Sequence, residues 1–119
     1  METLDHLRIR LHEFAVARDW EQFHSPKNLA MALIVEAAEL VEHFQWLTEE
    51  QSAAMPSDKL AEVEQELADI QIYLIRLADR LKIDLEQAVD AKIALNERRY
   101  PVEKARGSAK KYTEFDNGC

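Results

Sequence analysis

Two glycines and three prolines in 119 residues leave little material for the tight turns that a β-rich fold requires. Cysteine occurs once, as Cys119, which supports no internal disulfide and fits a reducing cytoplasm. No apolar run approaches the ~20 residues of a membrane span, so a soluble protein with no membrane partner is expected. The opening stretch METLDHLRIRLHEF alternates charge with apolar residues and lacks the uninterrupted core of a secretory signal. Positive charge is also scarce: 15 Lys and Arg stand against 23 Asp and Glu, for a formal net charge of −8. That balance argues against a nucleic-acid polymer as partner, which needs an exposed cationic surface. It leaves room for a small anionic ligand, because a bound divalent cation reverses the local field. No Gly-x-x-x-x-Gly-Lys loop and no serine in a nucleophile elbow occur, which excludes a P-loop enzyme and disfavours covalent catalysis.

What remains is rich in helix formers, and the chain is long enough for one domain burying ~65% of its unfolded surface. Hydrophobic spacing predicts four helices. The first runs from Thr3 to Arg18, with Leu4, Leu7, Leu11 and Phe14 as one stripe and His6 and His12 on the polar face. Ser25-Pro26 starts the second, which extends to Leu47. Its first half is apolar all round, which hints at a subunit interface. Thr48–Asp58 reads as a polar connection, with Ser57 or Asp58 capping a third helix over Lys59–Leu81. Val63, Ile70, Leu74 and Leu77 form its core stripe, and Ile72 and Ile75 add a second apolar side. Asp84 and Gln87 can form a capping box before a fourth helix, Leu85–Tyr100, in which Leu85, Ala88, Val89 and Ile93 face inward and Pro101 ends the run. The expected fold is all-α, an antiparallel four-helix bundle. Residues 1–101 form its helical core and 102–119 an irregular tail of one domain.

The stretch that stands out is Leu29–Trp46, LAMALIVEAAELVEHFQW. Seven apolar residues lead into Glu36 and Glu39, which lie about 60° apart on one face, with Leu29, Ala32, Leu33 and Leu40 close by on the same wheel. Carboxylates in an apolar stripe are costly to ionise without a compensating cation. The third helix carries a matching pair, Glu66-x-x-Asp69. A short connection makes the two helices antiparallel neighbours, so the four acids can converge. An all-oxygen set selects Mg²⁺, with Mn²⁺ as substitute. The bland alternative is a pair of solvated faces, or salt bridges to Arg76 and Arg80. A di-iron bundle would need an inward Glu-x-x-His on each of two helices, and only Glu21–His24, in a turn, has that spacing.

Hard cations held by carboxylates commonly serve phosphate ligands. Lys92, Asn96 and Arg99 share one face and could hold phosphate oxygens, and the tail adds Lys110 and Lys111. Trp20, Phe23, Trp46 and Tyr73 offer flat surfaces for a base, although aromatics more often serve the core.

The ExxE and ExxD pairs, with ARDWEQFHSPKNL, EAAELVEHFQW, ELADIQIYLIRLA, the KxxxNxxRYP of Lys92–Pro101 and RGSAKKYTEF in order, resemble the all-α nucleoside triphosphate pyrophosphohydrolases, the MazG-like family. The likeness runs from Phe14 to Phe115 and leans toward the dCTP pyrophosphatase branch. It implies a homo-oligomer, dimer or tetramer, and Mg²⁺-dependent cleavage of a deoxynucleoside triphosphate, dCTP or a modified dCTP, to monophosphate and pyrophosphate in cytoplasmic pool cleaning. By motif, Glu36, Glu39, Glu66 and Asp69 become the metal site. A carboxylate not fully committed to metal would take the proton of the attacking water, and Glu39 is the acid expected to do so. Trp20, Trp46 and Tyr73 match positions near base and sugar, while Asn96 and the tail lysines match positions near the phosphates. The alternative from another class is a helical nucleotide-binding or regulatory protein without turnover.

Overall fold

The computed structural model describes residues 2–115, so Cys119 lies outside the described residues. Among these the chain is all-helical: α1 Leu4–Ala17, α2 Pro26–Glu42, α3 Glu49–Ala53, α4 Ser57–Arg80, α5 Leu85–Arg99, α6 Val102–Ala105 and a 3₁₀ turn at Tyr112–Glu114. Two compact units divide at Ile83–Asp84, the first holding α1 to α4 and the second α5, α6 and the 3₁₀ turn.

In the first unit α2 lies along α4, and α1 also packs on α4. Leu29 of α2, Ala15 of α1 and Val63, Ile75 and Ala78 of α4 are its buried apolar side chains. The expected stripe on α4 therefore holds at Val63, whereas Ile70, Leu74 and Leu77 are half-buried and Ile75, from the second apolar side, is buried deepest. Large apolar groups remain exposed along α2, at Met31, Ile34, Val35 and Val41.

Caps explain the starts. Thr3, Ser25 and Asp84 each accept a backbone N–H from three residues on, at the first turns of α1, α2 and α5. The scarcity of glycine is felt at two helix ends. After α1, the Trp20 N–H reaches the Ala15 carbonyl and the Asp19 N–H the Val16 carbonyl. After α4, the Ile83 N–H reaches Ala78 and the Lys82 N–H reaches Asp79. Both are Schellman endings, and both place a non-glycine residue in the left-handed region, Asp19 at φ 53° and Lys82 at φ 58°.

Five sequence expectations need correction. α2 stops at Glu42 rather than Leu47, because His43, Phe44 and Leu47 donate to carbonyls only three residues back and wind into tighter turns. The connection after it contains α3, nucleated by a capping box. The Thr48 hydroxyl accepts from the Gln51 N–H, and the Gln51 side chain accepts from the Thr48 N–H. α4 begins at Ser57 with Pro56 as its N-cap, so neither Ser57 nor Asp58 plays that part. The tail is not wholly irregular, since α6 and the 3₁₀ turn lie within it. In the second unit Val89 and Ile93, expected to face inward, are about half exposed. Here Tyr100 meets Tyr112 and Phe115 edge-on at 6.0 and 5.7 Å, which folds the tail onto the end of α5.

A left-handed residue without a Cβ relieves strain that a lysine carries, partly offset by glycine's greater unfolded-state entropy. Lys82→Gly should therefore raise stability by about 0.5–1 kcal/mol, read as a higher midpoint in urea unfolding.

Candidate active site

The seam between α2 and α4 holds the carboxylates. Glu36 and Glu39 project from α2 one turn apart, and Glu66 comes from α4. One carboxylate oxygen from each lies within 4.8 Å of the other two, and all three side chains are half-buried. Asp69, also half-buried on α4, falls outside this trio, yet its charge acts on Glu36. Burial first, then closeness to Glu39, Asp69 and Glu66, pushes the Glu36 carboxyl up to about 7.

Two oxygens decide what the cluster suits. Glu36 Oε2 and Glu66 Oε2 are buried and have no hydrogen-bond partner among the described residues. Buried acceptors are normally satisfied, so two orphaned carboxylate oxygens on two members of the trio are what a hard divalent cation would complete. The arginines do not neutralise them. Arg76 pairs with Asp79 and Arg80 with Glu21, so the salt-bridge alternative fails for this cluster. The nearest cationic candidate is His43, whose Nε2 is 3.7 Å from Glu66 Oε1 and whose Nδ1 is 3.7 Å from Glu62 Oε2. Those separations exceed a hydrogen bond.

The aromatic candidates divide. Trp20 sits just beyond the Schellman end of α1, with Phe14 edge-on at 5.6 Å and the His24 ring at 6.2 Å. The turn that carries it is tied down. Phe23 and His24 N–H groups donate to the Trp20 carbonyl, and the Asn28 side chain donates to the Phe23 carbonyl at 3.1 Å. Tyr73 is half-buried on α4, one turn beyond Asp69 and two beyond Glu66 on the same face. Trp46 lies in the turns after α2 and is 87% exposed. His12, expected on the polar face, is exposed and pairs with Glu21 at 3.2 Å.

The phosphate candidates belong to the second unit. Lys92 and Asn96 are exposed on α5, and Lys110 and Lys111 are exposed before the 3₁₀ turn. Arg99 is engaged already, its guanidinium 4.5 Å from the centre of the Tyr112 ring. The residue pattern gives His24 no part and offers Arg76 only as a possible partner for the acids. The signal for Arg76 was present, since a charged residue inside IYLIRLA breaks an apolar run as the two glutamates do on α2.

A sequence model of the MazG-like family matches residues 31–115. The chain belongs to that family. It is 52% identical to dCTP pyrophosphatase 1 of Bos taurus over 98% of this chain and 70% of the relative. Against the Homo sapiens protein of the same name the identity is 48%, again over 98% of this chain and 70% of the relative. It thus falls in the dCTP pyrophosphatase branch. Among solved structures, a pyrophosphatase from Archaeoglobus fulgidus superposes with a TM-score of 0.79 at 39% identity, covering 85% of this chain and 94% of the other.

The raised Glu36 pKa carries a stability consequence. Its folded value lies above its ordinary 4.5, so the protonated carboxyl favours the fold. That contribution is complete below about pH 4.5 and is lost as pH rises through about 7. Glu36→Gln copies the protonated form at every pH. In chelator, thermal unfolding of E36Q and the native protein should coincide near pH 4.5, with E36Q increasingly the more stable up to pH 8. Parallel curves would contradict the assignment.

Proposed function

We propose that this chain hydrolyses dCTP, or a dCTP modified on its base, to the monophosphate and pyrophosphate with Mg²⁺, as a pool-cleaning enzyme of the cytoplasm. At about half identity over nearly its whole length to dCTP pyrophosphatases, it is a nucleoside triphosphate pyrophosphohydrolase. The observation that carries the finer reading is the carboxylate trio with its two orphaned buried oxygens.

Glu36, Glu39 and Glu66 would hold the cation, with Asp69 as the fourth acid. When bound, Mg²⁺ offsets the charge of the triphosphate and makes a water more acidic. The remaining work falls to side chains. A carboxylate oxygen not committed to metal takes the proton from the water that attacks the α-phosphorus. Glu39, whose carboxylate belongs to the same cluster, is assigned that part. The P–O bond to the β-phosphate breaks, and pyrophosphate leaves.

Trp20, Trp46 and Tyr73 are the surfaces for base and sugar. An almost fully exposed indole at Trp46 has its face free for stacking. Lys92, Asn96, Lys110 and Lys111 supply donors for phosphate oxygens, and Arg99, held against Tyr112, adds its charge at the base of the tail. The exposed apolar side chains of α2, Met31, Ile34, Val35 and Val41, support assembly as a homo-oligomer, a dimer or tetramer in which copies of the chain cover one another's apolar faces and the bundle is completed.

No helix among the described residues is long and apolar enough to cross a membrane, which accords with a pool enzyme. Glu39→Gln and Asp69→Asn should each lower Mg²⁺-dependent pyrophosphate release from dCTP by ~10²–10⁴-fold with the helical circular dichroism unchanged. Full turnover in either variant would overturn the assignment, and release of orthophosphate instead of pyrophosphate would overturn the reaction.

A further inference from the structure

Arg76 is the largest side chain sealed in the first unit, at 2% exposure. Its surroundings do not balance its charge. Nη1 donates to Asp79 Oδ2 at 3.4 Å, but Asp79 also accepts from Arg8 Nη1 at 3.3 Å, so one carboxylate serves two guanidiniums. Nη2 is buried with no partner among the described residues. Nε donates to Nδ1 of His24 at 3.4 Å, across from α4 to the turn between α1 and α2. A buried, incompletely paired arginine is a poor way to fill space, since an apolar side chain of similar length does so without desolvating a charge. The charge therefore has a use beyond filling the core.

That use follows from the chemistry of the imidazole. An arginine remains protonated and can only donate. A nitrogen accepting from it must present a lone pair, so Nδ1 of His24 carries no proton and the ring is neutral with its hydrogen on Nε2. The charged neighbours agree. Arg76 and Arg80 of α4 oppose a second positive charge on the ring. Glu21 of the same turn favours one, but is shared with His12 of α1 and with Arg80. Arg8 of α1 is occupied with Asp5 and Asp79. The fixed ring then lies 6.2 Å from Trp20 at 60°, within the turn whose backbone closes on the Trp20 carbonyl.

We infer that Arg76 is a positioning residue: it locks His24 in the Nε2–H tautomer and, through that ring, sets the pose of Trp20. The consequence for catalysis rests on the reading of Trp20 as a surface for the nucleotide base. Arg76 touches neither substrate nor the carboxylate trio in this scheme, so its loss should weaken nucleotide binding and leave the chemical step alone.

The experiment combines long-range ¹H–¹⁵N NMR of the histidine rings with steady-state kinetics on dCTP. The His24 signals are assigned by their disappearance in His24→Gln. In the native protein at pH 7, Nδ1 should resonate as an unprotonated nitrogen and Nε2 as a protonated one. Arg76→Met should lose that preference and raise KM by ~10-fold with kcat within about twofold. Arg76→Lys, which keeps a cation and a donor but not the fork, should keep the tautomer and fall between the two in KM.

A native His24 that is charged, or that carries its proton on Nδ1, would overturn the inference even if R76M fails to fold. So would an R76M protein with native tautomer and native KM, or one that loses kcat at unchanged KM. Absence of any turnover in the native protein would instead sink the enzymatic reading, while the tautomer measurement would still decide the role of Arg76.

Discussion

Repulsion between carboxylates is the constraint on which the rest of this structure depends. Three acids from two helices share a focus less than 5 Å across, two of their oxygens buried and unpartnered. Left alone, such a cluster resists ionisation: burial first, and then the neighbouring acids, hold the Glu36 carboxyl above its ordinary range. The fold tolerates this because α2 and α4 are joined along much of their length, with Leu29, Val63 and Ile75 buried in the same unit. Stability is given up at one place on the seam, which is what the proposed divalent-cation site would require.

A second charged group in an apolar setting lies further along α4. Arg76, like Glu36, sits where an aliphatic residue would fit more cheaply, and it too is incompletely paired. The two anomalies have opposite sign and share a helix, yet they do not pair with each other. Each faces its own partners: Glu36 the acids of the seam, Arg76 the turn carrying His24 and Trp20. One helix thereby organises both the acidic cluster and an aromatic surface.

Much of this was legible in the residue pattern, and the failures have identifiable causes. Glu36 and Glu39 were conspicuous because an apolar stripe makes a carboxylate an exception, and the i, i+3 spacing sufficed to put each pair on one face. The end of α2 was misjudged because Phe44 and Leu47 continue the apolar rhythm through turns that are no longer α-helical. Five-residue α3 is too short to show a period, although its Thr48–Gln51 capping box was in plain sight. Asp69 takes its place in the quartet from spacing, whereas the fold sets it outside the trio. No periodicity could reveal that the His24 ring would meet Arg76, since the two are brought together only by the tertiary fold.

Binding of Mn²⁺, followed by the loss of the free-ion electron paramagnetic resonance signal, tests the central claim most directly, because it needs neither nucleotide nor turnover. The native protein should bind Mn²⁺ saturably, Mg²⁺ should compete for the same site, and Glu66→Gln should abolish the binding while Glu62→Gln, one turn away, leaves it intact. Equal binding by the native protein and E66Q would show that the carboxylates of the α2–α4 seam do not form a metal site.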